Sequence, residues 1–153
     1  MNRLVLIIFP LSLFFLFGCN NDPGFSNEPT LTFVDIQPRS PRQFRDTINI
    51  TVSFTDGDGD LGDDNNEVKN IFVIDNRPWL TEEQAQLFFT VPNLTPNTKN
   101  PAIQGTITVQ IPPTIIRPGL GLTEEATTFD VFVIDRADNE SNRVTTDSIT
   151  VIQ

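Results

Sequence analysis

Beyond residue 30 the chain alternates apolar and polar side chains with a period of two, the spacing of a β-strand with one buried face. Ile48, Ile50, Val52 and Phe54 alternate with Asn49, Thr51, Ser53 and Thr55. Ile107, Val109 and Ile111 alternate with Thr106, Thr108 and Gln110. Phe129, Val131 and Val133 alternate with Asp130, Phe132 and Ile134, the mark of a more buried strand. Residues 144–152 predict a last strand with Ile149 and Val151 inward, and 31–37, 68–75 and 87–91 complete the set. Clusters of Pro, Gly, Asn and Asp separate these runs, and the twelve prolines and eight glycines suit a loop-rich all-β chain. About seven short strands at this rhythm predict an all-β, Ig-like β-sandwich, with a jelly roll or barrel as the alternative. One short helix is predicted at 81–86, where Thr81 and Gln84 can form a capping box.

Composition narrows the function. The chain has 153 residues and a formal net charge of −10. Such a surface repels nucleic acid and suits cations, so no nucleic-acid partner is expected. There is no His and no Tyr. That removes the usual general base near neutral pH and most zinc sites, and it counts against an enzyme. A single Cys excludes an internal disulfide.

That Cys lies in a distinctive place. Arg3 gives a positive start, and residues 4–17 are apolar apart from Pro10 and Ser12. Fourteen residues are short of the roughly 20 a membrane-spanning helix needs and fit the apolar stretch of a signal peptide. Leu16-Phe17-Gly18-Cys19 resembles the lipobox of bacterial lipoproteins, with Phe17 bulkier than the residue usual there. The resemblance implies that residues 1–18 are a signal peptide and that Cys19 becomes the N-terminus. Cys19 would then carry a diacylglycerol and an N-acyl chain of the palmitate kind, enough hydrocarbon for stable anchoring. Residues 19–30 form a lipidated, flexible tether, and residues 31–153 form the sandwich domain. Asn20 is not the aspartate of inner-membrane retention, so the expected location is the cell envelope, with the outer membrane preferred.

The most informative stretch runs Asp56-Gly57-Asp58-Gly59-Asp60-Leu61-Gly62-Asp63-Asp64-Asn65-Asn66-Glu67. Aspartates at spacing two can share the concave side of a tight turn, and glycines let the backbone curl. Calcium takes six to eight hard oxygens, which such a loop can largely supply, whereas magnesium fits a multi-carboxylate cage poorly. In EF-hand order, positions 1, 3, 5, 9 and 12 fall on Asp56, Asp58, Asp60, Asp64 and Glu67, with Asp63 beside them. Position six is Leu61 rather than Gly, and the flanks are strands, so the loop is not an EF-hand. The competing reading is a solvated acidic turn.

A second polar turn, residues 135–142, joins the last two strands. Asp135, Ala137, Asn139 and Ser141 resemble the D-x-A-x-N-x-S hairpin ending many bacterial Ig-like domains, where Gly often stands at the place of Asp138. Together the two motifs resemble small Ig-like lipoproteins of Gram-negative bacteria with an F-x-DGDGD-x-G loop, over roughly Leu31 to Ile152. In an Ig-like sandwich both loops lie at one end, so Asp135, Asp138 or Asn139 can complete a calcium shell. The tether enters at that same end, which favours a structural calcium.

Three functions follow as expectations. The first is a non-enzymatic, membrane-anchored adhesion, scaffold or assembly subunit with a calcium-stabilised module. The second is a glycan-binding accessory of a surface uptake system, using Trp79, the single Trp. The third, a hydrolase with Asp56 and Glu67 as paired carboxylates, has no further support. The expected partners are the membrane, through the lipid, and an unnamed envelope protein or glycan.

Overall fold

The computed structural model describes residues 24–95 and 101–153, so the signal segment, the lipobox and Cys19 lie outside the described residues. The alternating segments form nine strands: β1 (Thr30–Gln37), β2 (Ile48–Asp56), β3 (Ile71–Asp75), β4 (Gln86–Phe89), β5 (Ile103–Ile111), β6 (Glu124–Thr127), β7 (Phe129–Val133), β8 (Val144–Thr145) and β9 (Ile149–Ile152). One sheet has the order β1-β2-β5 and a second β4-β3-β7-β8, and β6 pairs with β9. The named strand pairs are all antiparallel. The pairs β7–β8 and β6–β9 are successive stretches of one hairpin, interrupted at Thr128 and at residues 146–148. Counted as ribbons there are seven, in open sheets, and the architecture is an all-β sandwich rather than a barrel.

The period of two explains the packing. Ile48, Ile50 and Val52 of β2 are fully buried, and Phe54 nearly so. They face Val73, Phe129, Val131 and Val133 of the second sheet in one continuous core. Among the described residues, the buried hydrophobic side chains of the sandwich run from Leu31 to Val151. The outer face of the second sheet is also partly apolar. Phe72 meets Phe88 edge-on at 5.6 Å and stacks on Phe132 at 4.8 Å, and Arg143 covers Phe132 at 4.2 Å.

The helix α1 (Glu82–Ala85) is a single turn with the expected capping box. The Gln84 N–H donates to Thr81 Oγ1 and the Thr81 N–H to Gln84 Oε1. Pairing of β1 with β2 is in register except for a bulge between Phe33 and Asp35, where Val34 is left 52% exposed. Arg42 adds a parallel bridge to Ile152.

Candidate metal centre

The acidic loop starts from strand parity. Even-numbered residues of β2 point inward, and Asp56 continues that row, so its carboxylate is delivered to the interior and is fully buried. There its Oδ1 accepts the Gly59 N–H (3.2 Å) and its Oδ2 the Leu61 N–H (2.8 Å), which curls the loop. Gly59 sits at φ +65°, and a Cβ there would lie 2.0 Å from the Pro101 carbonyl oxygen, so only glycine fits. Leu61, at the place where an EF-hand has Gly, is fully buried in the hydrophobic core. It anchors the loop to the sandwich.

This folding brings carboxylate oxygens of Asp56, Asp58 and Asp60 within 4.8 Å of one another, a group that could hold a metal ion. Asp56 is fully buried and Asp60 is 7% exposed, while Asp58 is half-buried. Asp58 Oδ1 and Asp60 Oδ1 are buried and have no hydrogen-bond partner. An uncompensated buried carboxylate is costly, and three together repel. Burial, followed by the charges of Asp135, Asp58 and Asp56 and offset by Arg136, pushes the Asp60 carboxyl up to about 6. Burial also raises Asp56, against the N–H bonds from Leu61 and Gly59. A cation at these oxygens satisfies both the orphaned atoms and the repulsion, so the residues fit a metal ion.

The other residues expected at the site are placed differently. Asp63 is half-buried; its Oδ1 accepts the Asn65 N–H, and its backbone bonds to Val91 and Asn93. Asp64 and Glu67 are exposed and outside the close carboxylate group, so Glu67 is not brought against Asp56 as a catalytic pair. Asp135 is 6% exposed and organises its turn, accepting N–H groups of Ala137 and Asn139 and the Asn139 side-chain amide. Asp138 is exposed at φ +66°, the left-handed conformation that explains a glycine at this place in similar hairpins. The two loops are neighbours. The Arg136 N–H donates to the Asp60 carbonyl (3.3 Å) and its Nη1 to the Gly62 carbonyl (2.7 Å). Between them lies a cleft of about 250 Å³, lined in part by Asp63, Asp135 and Asp138.

A polar cluster at the opposite end of the sandwich is absent from the sequence reading. Arg77 is buried and donates to both oxygens of Asp75, to Thr114 Oγ1, to the Ile115 carbonyl and to Glu125. Trp79 sits over this guanidinium at 5.3 Å and donates its Nε1–H to Glu125 Oε1 at 2.7 Å. Arg and Glu here are 48 residues apart in sequence, and no local pattern announces the pair. No family model, curated protein or solved structure matches the chain.

The raised Asp60 carboxyl sets a pH dependence. Its folded value, about 6, lies above an ordinary aspartate near 3.9, so between these values the folded state holds the extra proton. In chelator, the contribution of Asp60 to stability is therefore fully present below about pH 4 and is lost as pH rises through about 6, on the order of 3 kcal/mol. Urea denaturation in chelator at pH 4, 5, 6 and 7 checks this. Midpoints that do not fall in that window would mean that Asp60 ionises without penalty.

Proposed function

We propose that the chain is a lipid-anchored envelope protein whose Ig-like domain is stabilised by one calcium ion on Asp56, Asp58 and Asp60. It works without catalysis, as an adhesion, scaffold or assembly subunit. The observation that carries the calcium is the pair of buried, unpartnered oxygens, Asp58 Oδ1 and Asp60 Oδ1. The lipid rests on Leu16-Phe17-Gly18-Cys19. The ion closes the loop that follows β2 over Leu61 and neutralises charge where the chain meets its tether. Stiffened loops at one end leave the rest of the surface for a partner.

The test is calorimetry with calcium on residues 20–153, followed by thermal melts. Calcium at a hundred times its dissociation constant adds about 2.7 kcal/mol. For a domain of this size that is a rise of about 10 °C. Asp58→Asn should abolish both the heat and the shift. An unchanged melting temperature in calcium and in chelator would reduce the loop to an acidic turn.

A second reading, glycan binding, has one observation in its favour. Trp79 borders a cleft of about 320 Å³ with Leu80, Pro112 and Pro113, at the end away from the tether. Binding on a glycan array that vanishes in Trp79→Ala would support it. An array without hits would remove it.

A further inference from the structure

The N-terminal segment does not leave the domain freely. Ser26 gives its carbonyl to the Gly57 N–H at 2.7 Å. A Cβ on Gly57 would lie 2.4 Å from the Phe25 carbonyl oxygen and 2.8 Å from that of Ser26. Residues 25–26 thus lie directly against the glycine between Asp56 and Asp58. A few residues on, the start of β1 is held by the second loop: Asn142 accepts the Leu31 N–H (2.8 Å) and donates to the Leu31 carbonyl (3.0 Å). The seat for the segment is therefore built from the same turn that gathers the three carboxylates.

We infer that the cation acts as a clasp, holding the N-terminal segment on the loop and so setting how far the domain stands from its anchor. The inference rests on the calcium reading above. Repulsion among Asp56, Asp58 and Asp60 strains the turn when no cation compensates it, and Gly57 shares that turn. With the segment seated, five residue steps separate Gly24 from Cys19, a reach of at most about 18 Å. With the segment released up to Thr30, eleven steps reach about 40 Å. Cation occupancy thus roughly halves the greatest distance at which the domain can stand from its anchor. Linkage makes the effect reciprocal: a seated segment must tighten calcium binding by the same factor as calcium tightens the seat.

The experiment is calcium calorimetry on three chains: residues 20–153, residues 29–153, and residues 20–153 with Gly57→Ala. Gly57 is not at positive φ, so its substitution tests the contact with Phe25 and Ser26 rather than backbone strain. Removing or displacing the segment should weaken calcium binding five- to tenfold, with Trp79 emission at the far end unchanged. Amide exchange at Gly57 should slow on adding calcium to residues 20–153. Equal affinities within twofold for residues 20–153 and 29–153 would overturn the clasp and leave the calcium site standing. No calcium heat in any of the three would take down the site and the clasp together. If Gly57→Ala fails to fold, the truncated chain decides alone.

Discussion

Replacing Arg77 with alanine is expected to cost about 3–5 kcal/mol, a large share of a typical domain's stability. Asp75 ends β3 with its carboxylate 7% exposed, and Arg77 folds back to place Nε 3.0 Å from both of its oxygens. The Arg77 backbone N–H (3.2 Å) and Thr127 Oγ1 (2.8 Å) also donate to Asp75. Glu125 is held by the guanidinium, by the Trp79 Nε1–H and by the Arg117 N–H. Removing the cation leaves two carboxylates out of water without their positive partner, and that dominates over the lost contacts. Arg77→Lys should recover only part of the loss, because an ammonium cannot reach Asp75, Thr114 and Glu125 from one planar fork. Urea denaturation followed by Trp79 emission reads both variants. A loss under about 1 kcal/mol for Arg77→Ala would mean that water takes over the role of the guanidinium.

Leu61→Ala should cost about 2–5 kcal/mol, the range for emptying a leucine site in a packed core. Its effect should extend to the metal. Leu61 holds the loop by its side chain in the core and by its N–H on Asp56 Oδ2. Loosening the first lets the carboxylates separate, so calcium affinity falls although no ligand is lost. Asp58→Asn makes the contrast. It deletes a ligand from the proposed calcium site and should leave the protein in chelator as stable or more so, because it removes a repelling charge. Denaturation in chelator and in calcium separates the two. If Leu61→Ala kept full calcium affinity while losing stability, loop and core would be independent.

Much of the sandwich was legible because inward side chains in a strand recur every second residue. Ile48 to Phe54 and Ile149 with Val151 announce buried faces, and the structure buries them. The capping residues Thr81 and Gln84 likewise mark the single helical turn. Glu124–Thr127 carries no such signal. It is a strand through its backbone pairing with β9, and the two residues it turns inward, Glu125 and Thr127, are polar. The sequence predicts a strand over 68–75, whereas β3 begins at Ile71, since Asn70 uses its side-chain amide to bond the Val91 N–H and carbonyl. The three neighbouring aspartates were legible from their spacing. The burial of Leu61 was not, because a leucine among aspartates shows its direction only once the core exists. The cluster round Arg77 was invisible for a related reason: Asp75 is only two residues away, but Thr114 and Glu125 join from 37 and 48 residues on, which leaves no periodicity.

The bulge at Val34 has a bearing on crowding. Copies held on a bilayer, as proposed here, meet in two dimensions and at high local concentration. A long flat strand at a sheet margin is then a template for strand-by-strand growth. The β1 margin is interrupted by its bulge, and the opposite sheet ends in β4, only four residues long. Phe88 is 47% exposed on that short strand, as Val34 is 52% exposed on β1. Polymerisation through the β1 or β4 margin would have to start from a distorted or very short template, which leaves β5, nine residues long and in unbroken register with β2, as the long regular margin on which copies crowded at a surface would pair.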